Sequence, residues 1–184
     1  MIAVDDCHAE LIASLVKCHK PRDVLELGIG SGKSSREIIK ALEWNTTDYK
    51  YTLVDSGVDW GSHEAIPRDA IQHLDGNQKA RLIISDELPF VMYTPDKYDF
   101  IFSDADHWNT DKWFDYVYTR LLKPGGILIY HDVSMQGVKD DLSFPNLDNI
   151  FHRARELGLH YAYFNKSSRQ GEKCERGLFV LFKH

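Results

Sequence analysis

Five places in the sequence put glycines, acids or histidines where an apolar run ends, and those residue types can do chemistry. The first is "VLELGIGSGKSS" (24–35), in which Glu26 precedes the alternating glycines Gly28, Gly30 and Gly32. A glycine turn lets the backbone approach a ligand closely, so it suits a phosphate, a dinucleotide or another nucleoside. The others are Asp55, Ser85–Asp86, Asp104-Ala105-Asp106-His107 and His131–Asp132. Carboxylates and imidazoles accept protons and offer oxygen or nitrogen ligands. One polar strand end means little, because strands enter loops. Five in register point to a site.

The glycine spacing separates the nucleotide chemistries. A triphosphate-binding loop needs GxxxxGK[ST]; Gly32-Lys33-Ser34 matches its tail, but position 27 is Leu where the first glycine should stand. A dinucleotide fingerprint needs GxGxxG, whereas this loop is GxGxG. Asp55 suits a ribose, since a carboxylate can accept from both vicinal hydroxyls, but that does not tell a dinucleotide from a mononucleoside. Glu26 discriminates: a carboxylate there repels a pyrophosphate and favours an ammonium or sulfonium. The loop is therefore expected to hold a nucleoside with a cationic tail.

Elements that would position these residues alternate along the chain. Helical spacing covers 5–19, 33–44, 110–122 and 146–157, and a short helix is expected at 68–74. Strand-like runs are "DVLELG" (23–28), "KYTLVD" (50–55), "ARLIIS" (80–85), "YDFIFSD" (98–104), "GGILIYHD" (125–132), "HYAYFN" (160–165) and "GLFVLFK" (177–183). The last two are expected as an antiparallel hairpin. Such alternation predicts an α/β fold with a mostly parallel sheet, whose ligands sit beyond the carboxyl ends of the strands where strand order reverses.

Bulk properties narrow the class. The 184 residues suit one domain, with an N-terminal helix over 1–21 ahead of a core over 22–184. A hydrophobic fraction of 43% supports a sizeable core without disulfides. The net charge of −6 disfavours a dedicated nucleic-acid surface. The three cysteines, Cys7, Cys18 and Cys174, form no CxxC pair, so a reducing, cytoplasmic setting fits. No run reaches the length of a membrane span and no signal peptide opens the chain.

Taken together and in order, "VLELGIGSG", "YTLVDS", "YDFIFSDADHW" and "LLKPGGILIYHDV" resemble the motifs of class I S-adenosylmethionine-dependent methyltransferases, over about residues 22–183. The resemblance implies a Rossmann-like three-layer sandwich with a seven-stranded sheet ordered 3-2-1-4-5-7-6, the last strand antiparallel. The subset it most resembles ends its fourth strand in Asp-Gly-Asp-His and its fifth in His-Asp; here Ala105 replaces the glycine. It is similar to the metal-dependent O-methyltransferases, which carry Asp-Asn where this chain has His131–Asp132.

The resemblance implies that Glu26 and the backbone at Gly28, Gly30 and Gly32 hold the methionine part of S-adenosylmethionine, with Ser34 beside them. Asp55 takes the ribose hydroxyls and Asp86 lies near the adenine amino group, with Ser56 and Ser85 also among the cofactor-binding residues. Asp104 is expected as both a cofactor-binding and a catalytic residue, bonding the cofactor's amine if it holds no metal. Asp86 serves equally as the cap of a helix beginning at Glu87. A divalent metal, magnesium or manganese, is an open expectation at Asp104, His131 and Asp132, because a metal lowers the pKa of a hydroxyl acceptor. One imidazole shifts preference away from magnesium. His107, with an ordinary pKa near neutrality, is the expected general base; a capping or surface histidine is the plain alternative. Trp60 and Trp108 either line the acceptor pocket or pack loops. The polar stretch 166–177 reads as a solvated hairpin tip, and no lid domain is expected, so the acceptor site is either open or covered by another subunit.

The expected activity is methyl transfer from S-adenosylmethionine to a small-molecule acceptor, at a hydroxyl oxygen. The rivals are an NAD-type oxidoreductase and a non-catalytic S-adenosylmethionine-binding protein. Neither nucleic acid nor membrane is expected as a partner, and a homo-oligomer is compatible with the sequence.

Overall fold

The computed structural model describes residues 4, 6–45, 48–57, 74, 77–133, 145–164 and 177–184. The expected helix at 68–74, Trp60 and nearly all of the polar stretch 166–177 lie outside them.

The apolar runs form one seven-stranded sheet: β1 (Asp23–Leu27), β2 (Lys50–Asp55), β3 (Ala80–Ile84), β4 (Tyr98–Ser103), β5 (Leu122–Val133), β6 (His160–Phe164) and β7 (Gly177–Phe182). Their spatial order is β3-β2-β1-β4-β5-β7-β6. Strands β1 to β5 pair in parallel, while β7 runs antiparallel to both β5 and β6. The expected topology is therefore present. Strands β1 and β4 are neighbours although β2 and β3 intervene in sequence, so strand order reverses between them.

Period-two alternation splits the sheet's side chains between two cores. Val24, Tyr51, Leu53, Phe100 and Phe102 pack on one face with α1 (Asp6–His19) and α2 (Lys33–Trp44). Leu25, Leu27, Ile101, Leu128 and Tyr130 pack on the other with Trp113, Phe114, Val117, Ile150 and Phe151. Glu26 falls on the α2 side of β1, in step with Val24.

Three helices follow β3. Helix α3 (Glu87–Tyr93) starts with Asp86 at its N-cap position. The helix expected over 110–122 winds unevenly: a 3₁₀ turn (Thr110–Trp113), a short α turn (Phe114–Tyr116) and a π turn (Val117–Leu121) form the composite α4. Lys183 Nζ donates to the carbonyls of Tyr118, Thr119 and Leu122 at 2.7, 3.1 and 2.7 Å, so these oxygens need no helical partner. Helix α5 (Pro145–Glu156) leads to β6. Strand β5 begins earlier than expected, and its pairing with β4 shifts register between Tyr98 and Phe100, around the Pro124–Gly125–Gly126 turn.

Candidate active site

The switch point brings the ends of β1 and β4 into contact. Asp104 N donates to Leu27 O at 2.8 Å, and Gly28 N donates to Val54 O at 2.8 Å. Gly28 has φ +83°, and a Cβ built there would lie 2.4 Å from Asp104 O. Any side chain would therefore both strain the backbone and strike β4. Gly30 and Gly32 also have positive φ, 51° and 74°. Asp55 reaches across from β2 to hold this turn: its Oδ2 accepts from Ile29 N at 2.8 Å and Gly30 N at 3.4 Å, and its Oδ1 from Gly57 N at 2.9 Å. Gly32 occupies the N-cap of α2, so the loop delivers the chain directly into a helix N-terminus.

Glu26 has no exposed surface. Its Oε1 accepts from Ser34 Oγ at 2.6 Å and its Oε2 from the Tyr51 hydroxyl. Burial pushes its carboxyl up to about 7, against the lowering effect of the Ser34 and Tyr51 bonds. Glu26, expected to meet a cationic tail, has both of its oxygens engaged by Ser34 and Tyr51. Strand alternation turns it under α2, where it ties the start of that helix to β1 and β2. The electrostatic case against a pyrophosphate cannot rest on it.

Acids and histidines converge beyond β4 and β5. His107 Nε2 lies 3.2 Å from Asp104 Oδ1 and 3.3 Å from Asp132 Oδ2. His131 Nδ1 lies 3.2 Å from Asp104 Oδ1 and 3.1 Å from Asp132 Oδ1. Asp132 has φ +61°, and the β5–β7 register shifts between Tyr130 and Val133. A bulge with a left-handed residue re-aims side chains at a strand end, and Asp tolerates that conformation better than most. Although burial alone would raise the Asp104 carboxyl, the His131 charge and the His107 hydrogen bond hold it well below the usual range. Asp132 is lowered too: burial opposes this, and His131 and His107 outweigh it. Burial would lower His107, but its bonds to Asp104 and Asp132 raise it to about 10. His131 is raised by the same two carboxylates against its burial.

One ligand atom each from Asp104, His107 and Asp132 fall within 4.8 Å of one another. Two carboxylate oxygens held ionised and one imidazole nitrogen form a donor set that fits a divalent cation. The metal set expected from sequence contained His131 in place of His107. His131 Nδ1 lies equally near both carboxylates, at 3.2 and 3.1 Å, while its Nε2 lies 3.1 Å from His8 Nδ1. His107, expected as the general base, lies between the two carboxylates, which favour its charged form when no cation is bound.

A profile of the methyltransferase-domain family matches residues 25–133. The chain belongs to this methyltransferase family. No curated protein sequence matches it. Among solved structures it is similar to an O-methyltransferase from Bacillus cereus in complex with SAH (TM-score 0.76, 18% identity, 98% of this chain and 83% of that one). It is also similar to the O-methyltransferase TomG from Streptomyces achromogenes, involved in tomaymycin synthesis, in complex with SAM (0.74, 17%, 99% and 82%). A putative caffeoyl-CoA O-methyltransferase from Staphylococcus aureus superposes at 0.72 with 22% identity, over 100% and 86% of the two chains. These likenesses agree with the Rossmann-like methyltransferase fold.

The remaining expected residues of this methyltransferase lie around the same strand ends. Ser34 is buried against Glu26. Ser56 is exposed after Asp55. Ser85 Oγ donates to Asp86 O at 2.9 Å, and Ser85 N donates to Asp55 O at 2.9 Å. Asp86 is exposed and makes no side-chain capping bond to α3. Trp108 is half exposed, and its carbonyl accepts from Asn146 Nδ2.

Sequence reasoning missed Tyr51, Glu87 and His8. Tyr51 looked like one more strand aromatic. Glu87, buried at the start of α3, accepts from Thr110 Oγ1 at 3.2 Å and is pushed up by burial to about 7. His8 stands one turn before Ile12 on the buried face of α1; a polar residue in an apolar stripe was its only signal.

Proposed function

We propose that this methyltransferase moves the methyl group of S-adenosylmethionine to a hydroxyl oxygen of a small molecule. The observation that supports this best is the direct abutment of the glycine turn on the acid–histidine cluster, through Gly28 and Asp104. A nucleoside cofactor held by the turn would present its sulfonium methyl beside groups that can manage the acceptor's proton. The acceptor oxygen attacks the methyl carbon, the carbon–sulfur bond breaks, S-adenosylhomocysteine leaves, and the hydroxyl proton passes to the cluster or solvent. The sulfonium is already a good leaving group, so the protein's task is alignment and proton handling.

Asp55 accepts three backbone bonds in the turn and keeps about one of its roughly four acceptor directions, on Oδ1, for a ribose hydroxyl. Ser56 lies beside it. Asp86, exposed beyond β3 with Ser85, is suited to accept from an adenine amino group. Gly28, Gly30, Gly32 and Ser34 shape the turn that receives the methionine part, and Asp104 accepts from its amine or ligates a metal. Asp104, His107 and Asp132 would hold magnesium or manganese. Bound there, such an ion supplies acidity to a hydroxyl acceptor. His107 would ligate as the neutral imidazole, giving up its Nε2 proton as the ion binds.

Among the described residues no helix is long and apolar enough to cross a membrane. The proposed setting is cytoplasmic, as one domain over 1–184, with no nucleic-acid partner; a homo-oligomer is compatible with this reading.

A thermal-shift panel tests the cofactor: S-adenosylhomocysteine should stabilise the protein and NADH should not. Stabilisation by NADH alone would overturn the reading. Calorimetric titration with Mn²⁺ tests the cluster, with Asp132→Ala expected to abolish binding. An acceptor screen with and without Mn²⁺ then separates an enzyme from a silent binding protein.

A further inference from the structure

Helix α1 lies outside the span matched by the family profile, yet one of its residues reaches the floor of the site. His8 is 2% exposed, and its Nδ1 lies 3.1 Å from His131 Nε2. The two rings meet edge to face, with centroids 5.3 Å apart and planes at 78°. The other nitrogen of His131 faces Asp104 Oδ1 and Asp132 Oδ1, and Asp104 Oδ1 in turn faces His107 Nε2. We propose that His8 is a positioning residue for the methyl-transfer site, fixing the His131 ring and through it the aim of the Asp104 carboxylate. This rests on the reading of Asp104, His107 and Asp132 as the reacting end.

The chemistry of the chain explains why a histidine stands there. A carboxylate only accepts, so the His131 nitrogen that faces Asp104 carries a hydrogen. In a neutral His131 ring, Nε2 is then an acceptor and needs a donor. In a charged ring, Nε2 is a donor and needs an acceptor. His8 Nδ1 can be either, by exchange of tautomer. Without it, a buried ring nitrogen would be stranded, and the ring would turn to satisfy itself. Ala9, Ile12, Ala13 and Val16 seat α1 on the core, so His8 itself is held firmly. Partners one shell behind a metal-binding residue orient it in this way.

Ring spectra of ¹⁵N-labelled protein, recorded with a chelator present, test the proposal in wild type, His8→Leu and His8→Asn. Asn keeps a donor and an acceptor near the place of Nδ1; Leu keeps neither. His8→Leu should shift the ring signals of His131 and also those of His107, on the far side of Asp104, and His8→Asn should restore both. Loss of packing alone would lower the melting temperature in both variants without that pattern. Unmoved His107 signals in His8→Leu, or identical spectra for Leu and Asn, would overturn the proposal. Should His8→Leu fail to fold, His8→Gln serves instead, because its amide sits one bond too far out. Mn²⁺ titration adds a second reading: His8→Leu should bind about 10- to 100-fold more weakly, and equal affinity in all three proteins would count against the proposal. If wild type takes no Mn²⁺, the metal reading of the cluster falls, and the ring spectra still decide the role of His8.

Discussion

Charged residues gather at both ends of the parallel sheet, and the two gatherings are built differently. At the amino ends, Asp99 Oδ2 accepts from Arg22 N at 3.0 Å and Asp23 N at 2.8 Å, and Lys123 Nζ lies 3.1 Å from Asp99 and 2.5 Å from Asp23. Burial would raise the Asp99 carboxyl, but the Asp23 N–H and Lys123 outweigh it and lower it. This cluster is closed, because backbone donors and a lysine satisfy the acids. At the carboxyl ends, Asp104 and Asp132 face two imidazoles, each of which could exchange its proton or ligate a cation. One end uses charge to fasten loops; the other stores charge that a ligand can use.

Glycines give the largest expected contrast between the two ends. Gly28→Ala should cost roughly 2–5 kcal/mol of stability, combining a left-handed side chain with overpacking against β4. S-Adenosylhomocysteine binding should be lost with it. Chemical denaturation and a binding titration check both effects; a mild, purely thermal effect would mean that the β1–β4 contact yields easily. Gly125 also has φ +79° but has nothing within 4 Å of a built Cβ. Gly125→Ala should therefore cost only about 1–2 kcal/mol and leave ligand binding intact.

Alkali should separate the ends next. The folded-state pKa of His107 is raised from 6.5 to about 10. Its contribution is fully present below the unfolded value and is lost as pH climbs through the folded one. Asp99 is lowered, so its contribution is present at neutral pH and is lost in acid. In chelator, the melting temperature should fall from pH 7 to 10, and His107→Asn should flatten that slope. An equal slope in the variant would remove the imidazolium from between its carboxylates.

Smaller effects follow on each side. Asp55→Ala should weaken S-adenosylhomocysteine by about 1.5–3 kcal/mol, the scale of charge-assisted hydrogen bonds. An unchanged dissociation constant would take Asp55 out of the site. Lys123→Met should cost about 1 kcal/mol or less, as for a partly solvated ion pair. Cofactor affinity should not respond to it, and a change there would show that the two ends are coupled.

Much of this was legible in the residues themselves. Strand and helix periodicities, the Gly28–Gly30–Gly32 spacing and the acids at strand ends are local patterns, and local patterns survive in one dimension. Helix α2 spans 33–44 as its spacing implies, and the sheet order follows the ordered motifs. Strand alternation could also have shown that Glu26 shares a face with Val24. It could not show that this face is covered by α2, with Ser34 and Tyr51 waiting for the carboxylate.

The sequence by itself determined the α/β class, the glycine turn and the inventory of acids and histidines, because these depend on composition and short-range period. Only the tertiary structure decided which of those groups meet. His8 and His131 are 123 residues apart along the chain, and Asp104 and His131 are 27 apart. The register shift and the left-handed residue at Asp132, which shape that end of β5, are likewise set by the sheet. Side-chain direction at a strand end is set by neighbouring strands and helices, and no spacing rule along the chain contains them.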